Sequence, residues 1–331
     1  MANDNNRLDN GNRREFLVRT AKAGLSIGAA CFLGYRFFDP IGPKQSSVVQ
    51  TGVSLADFSI ADEKPKMSIV RGKDRKVTIQ RAFQALGGIE SYIKKGDRVL
   101  LKVNAAFASP PVLSATTHPE LVSEVTRLCY KAGAAEVIVT DNPINDPASC
   151  FQLTGIARAA RDAGAMVMLP ADHYFRPITI PGGRLIKEWP VLFEPFKKIN
   201  RLIGIAPVKD HHRSGASMAM KNWYGLLGGR RNIFHQDINT IITELALMAK
   251  PTLVVLDGTN TMMTNGPTGG SLSDLKATNT MIVSTDQVAA DAFGASLLDK
   301  DAGSLPYIAA AEANGIGTAD YRLLNPVEIK I

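Results

Sequence analysis

The stretch RVLLKVNAAFASPPVLSATTHPELVSEVTRLCYKAGAAEVIVTD, residues 98–141, reads as strand, helix, strand. Lys95-Gly96-Asp97 turns the chain into residues 98–103, a short apolar run of the kind that fills a strand buried on both faces. Thr117-His118-Pro119-Glu120 is a helix-start signal, because Pro is tolerated in a first turn whose N–H groups have no partner anyway. The helix predicted from it runs over 119–132, and residues 136–140 form a second apolar strand that ends in Asp141. Strand–helix–strand units of this kind predict a parallel sheet covered by helices on both faces.

The same rhythm extends in both directions. Residues 67–71 read as a strand and 77–94 as a helix, with Ile79, Ala82, Phe83, Leu86 and Ile89 at helical spacing. Gly87-Gly88 weakens that helix locally. A helix over 148–163 and a strand over 165–169 follow. Residues 173–193 break the pattern: Pro177, Pro181, Gly182-Gly183 and Pro190 punctuate an irregular β insert, expected as a hairpin beside the main sheet. The rhythm resumes with strands over 202–208, 251–256 and 281–284 and helices over 237–250, 287–298 and 307–314. A terminal strand is expected over 327–331. The fold class is therefore α/β, with a mostly parallel sheet and an expected domain over 66–331.

Ahead of that domain, Asn12-Arg13-Arg14-Glu15-Phe16-Leu17 precedes an apolar stretch over 23–35. Paired arginines before a short apolar run have the shape of a twin-arginine export leader, here assigned to 1–38. Cleaved, lipidated and retained forms of it are all compatible with the residues. Residues 39–65 read as a polar linker. Such a leader implies the twin-arginine translocase as a partner, and a location in the periplasm or on the outer face of the cytoplasmic membrane.

The net charge is +7, of which residues 1–44 hold +3 (seven Lys/Arg less four Asp/Glu) and the rest +4. That balance is too mild for a nucleic-acid footprint. Of three cysteines, Cys129 and Cys150 sit in apolar helical patterns and Cys31 in the leader. They read as buried free thiols; no CxxC occurs, which argues against an iron–sulfur cluster on this chain.

In open parallel sheets, ligands bind beyond the carboxyl ends of the strands. Those ends carry Lys102 and Asn104, then His118, then Asp141 and Asn142. The densest segment is Pro207-Val208-Lys209-Asp210-His211-His212-Arg213, with Lys221-Asn222 and His235 downstream. Lys102, Lys209 and Lys221 together would make a cationic pocket for a carboxylate or phosphate. His211 or His118 would serve as general acid or base, and Lys221 as a base if desolvated. Asn104, Asn222 and the loop glycines Gly266 and Gly270 would complete the substrate-binding set. A divalent metal would draw its ligands from His211, His235, Asp257, Asp286 and Asp291, although no metal-site spacing is present. Nucleotide fingerprints are absent: Gly225-Leu226-Leu227-Gly228-Gly229 is not GxGxxG.

These segments carry a resemblance. Pro207-Val208-Lys209-Asp210-His211, then Ser217 and Lys221-Asn222 ahead of Gly225, resembles the central motif of the bacterial family called domain of unknown function 362. Asn265-Gly266-Pro267 with Gly270 resembles its Gly-Pro loop, and Asp286-Gln287-Val288-Ala289-Ala290-Asp291 its late helix start. The chain departs from the pattern at Ser217 and Gln287, and it has Met262-Met263-Thr264 where the family has an acidic residue near the loop. Some members carry a ferredoxin-like cysteine cluster, which this chain lacks. The strand–helix order also looks distantly like lactate racemase, which implies a two-lobed architecture. Together these readings give an enzyme acting on a small anionic substrate at a Lys/His/Asp site. The alternative is a non-catalytic periplasmic accessory that holds a metal or cofactor for a redox partner protein.

Overall fold

The computed structural model describes residues 14–26, 28, 53–60 and 66–331. Residues 14–26 form an exposed helix, α1, in which Arg19 pairs with Glu15 one turn away at 2.7 Å. Arg13, Cys31 and most of the expected leader and linker lie outside the described residues.

In chain order the domain begins with β1 (Met67–Arg71), α2 (Arg75–Ala85), β2 (Arg98–Lys102), α3 (Pro119–Lys131) and β3 (Glu136–Thr140). Next come α4 (Pro147–Leu153), α5 (Ile156–Asp162), β4 (Met166–Val167), β5 (Phe175–Ile178) and β6 (Trp189–Leu192). The site-bearing part is β7 (Arg201–His211), β8 (Gly215–Ser217), α6 (Ala219–Asn222), α7 (Ile238–Met248) and β9 (Leu253–Met262). β10 (Leu275–Lys276), β11 (Thr280–Ser284), α8 (Gln287–Leu297), α9 (Pro306–Ala313) and β12 (Val327–Lys330) close the chain.

The main sheet runs β12-β1-β11-β9-β7-β2-β3-β4. Along that path only β11 is reversed: it is antiparallel to both β1 and β9, and every other pairing is parallel. Alternation along each strand sorts the core into two layers. Leu100, Ile138, Leu202, Val254 and Ile282 face one side, with Ile241 and Leu245 of α7 and Val288 of α8. Leu101, Val139, Ile203, Val255 and Val283 face the other, with Phe83 of α2, Val125 of α3 and Ile156 of α5. Because the strands are apolar on both faces, each layer of helices has a surface to cover.

Several expectations change in detail. The helix expected over 77–94 stops at Ala85, because Gly87 and Gly88 adopt positive φ. The helix expected over 148–163 splits in two at Gly155, which has φ 73. The insert forms the expected two-stranded hairpin, with Phe175 opposite Leu192. Part of the expected linker belongs to the domain. Leu55 and Phe58 are buried in the core, and the Phe58 N–H donates to the Lys250 carbonyl at 3.0 Å. Two buried apolar side chains in a polar stretch are enough to dock it, and sequence composition averages them away. The domain over 52–331 is one compact unit built on one main sheet. Among the described residues no helix is long and apolar enough to cross a membrane.

Candidate functional site

Strand β7 outruns its neighbour β2 and turns back as β8, with Lys209 facing Ser217 and His211 facing Gly215. Residues two apart share a face. Lys209 and His211 therefore look into one cavity, which Ser217 also lines. Asp210 points the other way and pairs with Lys300 at 2.7 Å.

The chain then makes the short turn α6, which carries Lys221 and Asn222. Its first N–H groups, those of Ala219 and Met220, donate to the two oxygens of Asp291 at 2.7 and 3.3 Å. Asn222 is a clip between strands. Its amide donates to the carbonyls of Lys102 and Ile205, and its carbonyl accepts from Lys102 Nζ at 2.9 Å. Lys102 is fully committed as well. It donates to the Val103 carbonyl at 2.7 Å and forms an ion pair with Asp141 at 2.7 Å, both partners buried. The other Asp141 oxygen accepts from the Ala105 N–H at 2.6 Å.

Gly225 passes directly over this ion pair. A Cβ there would lie 2.0 Å from Asp141 Oδ1 and 2.7 Å from Lys102 Nζ. Gly225→Ala should therefore destabilise the fold by about 1–3 kcal/mol, the usual range for overpacking, read as a shift in the urea midpoint at unchanged slope. A neutral result would mean that the 223–226 turn is free to lift.

Two lysines remain in the cavity without a carboxylate of their own. Lys209 donates to the Ala115 carbonyl and lies 5.2 Å from the Phe107 ring centre. Burial, then the neighbouring Lys221, pulls its amine down to about 7. Lys221 sits 5.0 Å over the Tyr224 ring and has no hydrogen bond or ion pair from its amine among the described residues. Burial, then Arg231, pulls it down to about 8. Both values lie far below the ordinary lysine value of 10.5 because desolvation penalises the charged form.

His211 is buried between the rings of His212 and His235, stacked at 5.0 and 5.9 Å. Its Nδ1 accepts from the N–H groups of Arg213 and Ser214, each at 3.2 Å, so its single proton resides on Nε2. Burial and the nearby Lys221 push it down to about 2. His211, expected as a general acid or base, is held by those two backbone N–H groups with its Nε2–H available as a donor. Tyr224, raised to about 12 by burial, stays a phenol. It donates to the Arg231 carbonyl and lies 3.0 Å from His235 Nδ1. Arg231 spends its guanidinium on backbone carbonyls, including those of Asn142 and Pro143 at 2.8 Å each.

The inner cavity is about 70 Å³ and opens toward a cleft of about 670 Å³. Asn142, Ile144, Tyr224, Arg231 and His235 line both.

The domain of unknown function model DUF362 matches residues 99–296, which hold all of these groups. The chain belongs to the DUF362 family. A thylakoid-associated protein of Synechocystis is 25% identical over 263 residues, covering 76% of this chain and 78% of its own. Among solved structures, the lactate racemase apoprotein of Thermoanaerobacterium thermosaccharolyticum aligns with TM-score 0.37 and 12% identity over 71% of this chain and 57% of its own. A Thermotoga maritima protein aligns with TM-score 0.32 and 14% identity over 56% of this chain and 50% of its own. The chain thus spans little more than half of either solved structure, and the fold class rests on the sheet described above.

Within this DUF362 domain the structure brings Lys102, Asn104, Lys209, His211, Lys221, Asn222 and His235 to one cavity. It separates the others. His118 caps α3, accepting from the Glu120 N–H at 3.4 Å, and does not line the cavity. Gly270 is exposed, and Gly266 is pressed against the Asp210 backbone, where a Cβ would lie 1.9 Å from the carbonyl oxygen. Pro267 alone of that loop lines the cavity. The loop's acid comes from downstream: Asp274 accepts from Asn265 Nδ2 at 2.6 Å and Thr264 Oγ1 at 3.0 Å.

Of the metal candidates only His211 and His235 come together, and among the described residues no group of three or more His, Cys, Asp or Glu could hold an ion. Asp257 is bound to Arg75 at 2.8 Å. Asp286 caps α8 and accepts from the Thr318 N–H at 2.9 Å. It lies at the opposite end of the strands from the cavity, because the strand before it is the reversed β11. Asp291 is spent on α6. Cys129 and Cys150 are buried free thiols, and burial pushes Cys129 to about 12. Tyr224 and Arg231 were not expected as site residues. Only their closeness to Lys221-Asn222 in the chain pointed to them.

Proposed function

We propose that this protein is an enzyme that binds a carboxylate or phosphate in the Lys209–Lys221 cavity and moves a proton on the molecule that carries it. The observation behind this reading is the pair of buried amines with no carboxylate of their own, beside an N–H donor fixed on His211. Two ammonium groups and one neutral donor suit an oxyanion and repel a divalent cation. Amines near 7 and 8 are split between charged and neutral forms at neutral pH, so one can hold the anion while the other accepts a proton. An accessory that merely stores a cofactor has no need of amines tuned to that range.

The sign of the pH dependence follows. Anion binding needs the charged amines, so affinity is highest below pH 7 and falls as pH rises through 7 and then 8. Calorimetric titration with phosphate and with acetate should show Kd rising at least ~tenfold between pH 6 and 9. A flat profile would refute the assignment of these two lysines.

The reading includes export by the twin-arginine translocase, supported by Arg13-Arg14 ahead of the apolar stretch. The thylakoid association named for the Synechocystis relative fits a membrane-adjacent setting. In the double variant Arg13→Lys, Arg14→Lys the precursor should stay in the cytoplasmic fraction, and unchanged export would remove this part of the reading.

A further inference from the structure

We infer that the substrate has two parts, an oxyanion head seated on Lys209 and Lys221 and a flat, ring-bearing body lying in the outer cleft. This rests on the anion-binding reading above and extends it from the head to the rest of the molecule.

The inner cavity of about 70 Å³ holds a few waters or one carboxylate or phosphoryl group, and nothing larger. Its wall of Tyr224, Arg231 and His235 continues into the cleft of about 670 Å³, which falls within the size range of sites for organic ligands. The far side of that cleft is built by the hairpin insert, through Phe175 and Pro190, with Pro143 and Pro170 beside them. Rings and prolines make flat walls that favour a planar or cyclic body.

The insert is fastened for this purpose by specific contacts. The Gly228 N–H donates to the Pro190 carbonyl at 2.7 Å, and Trp189 Nε1 donates to the Gly228 carbonyl at 3.1 Å. Gly228 has no side chain where a Cβ would meet the Phe175 ring at 2.7 Å, so the ring closes against the backbone that leads from Lys221. The cleft wall and the head-group pocket are therefore held in register. The cleft also has a single carboxylate in its lining, Asp172, whereas the inner pocket gathers the lysines. Beside its flat walls the cleft also presents Asn142, Arg231, Asn232 and His235, so it offers ring faces and polar groups to the body of the molecule.

The test compares inorganic phosphate with 2-naphthyl phosphate by calorimetry on the wild type, Lys221→Met, Phe175→Ala and Ala171→Trp. Ala171 lines only the outer cleft and is partly exposed, so its replacement fills the cleft without touching the core. The wild type should bind the naphthyl ester at least ~tenfold more tightly than phosphate. Phe175→Ala and Ala171→Trp should abolish that gain and leave phosphate affinity unchanged, while Lys221→Met should weaken both ligands. Phosphate binding that depends on Lys221, without any gain from the naphthyl group, would overturn the two-part substrate and leave the anion site standing. A gain that survives both cleft variants would overturn it too. If phosphate and the ester both bind regardless of Lys221, the anion-site reading itself fails.

Discussion

Lys221→Met will weaken phosphate or carboxylate binding at least ~30-fold, because losing one partner of a buried charged contact costs about 2 kcal/mol or more. The fold will survive it. The amine of Lys221 is buried without a hydrogen bond or ion pair among the described residues, so in the free protein only the Tyr224 ring offsets its desolvation, and only in part. Methionine keeps the packing of the stem and removes the charge. The midpoint of thermal unfolding should stay level or rise. The pH dependence of stability adds a second readout. The unfolded chain holds the Lys221 proton up to about 10.5, whereas the folded chain sheds it near 8. Between those values the unfolded state binds more protons, so wild-type stability rises with pH, and Lys221→Met flattens that rise. A variant that loses binding and stability together at every pH would mark Lys221 as structural.

Lys102→Met will do the reverse. Here the amine is one half of a buried ion pair, and its removal leaves Asp141 charged with only the Ala105 N–H at 2.6 Å in direct contact. Breaking such a pair costs about 3–5 kcal/mol. Asn222 loses its partner too, and with it part of the clip between β2 and β7. Urea denaturation should show the loss, and adding Asp141→Asn should recover much of it, since the two residues are coupled. A loss below about 1 kcal/mol would mean that Arg231 takes over as counter-charge, the residue whose charge already acts on Asp141. Lysines alike in sequence thus divide by role: Lys102 holds the floor of the cavity, and Lys209 and Lys221 face its contents.

The sequence made much of this visible. Apolar runs located most of the strands, and Lys209 and His211 stood out because they directly follow a buried strand, with Lys221 further downstream. Chemical state was not visible. Whether a lysine is paired or solitary depends on Asp141, which arrives from another strand. Whether His211 titrates depends on N–H groups made available by the β7–β8 turn. Strand direction was hidden for a simpler reason. Thr280–Ser284 is a short apolar run that reads the same in either sense, so nothing local announced that it is reversed. That one reversal carries Asp286 to the opposite end of the strands and removes it from the expected metal set. The docking of Leu55 and Phe58 escaped because two apolar residues do not make a period.

The position of β1 has a consequence for how the chain matures. Met67 faces Ser284 on one side, and Ser68 faces Val327 on the other. A strand from the beginning of the domain takes both of its neighbours from the far end. While the chain emerges from the ribosome, β1 and the helix that follows it have no sheet to join, and β2, β3 and β7 can assemble without them. Completion of the sheet waits on synthesis of its last strands, and contacts so distant along the chain make for slow closure. Until then the apolar edge of β1 is open to other chains, so this protein's exposure to chaperones should be set by translation time and not by the stability of the finished fold.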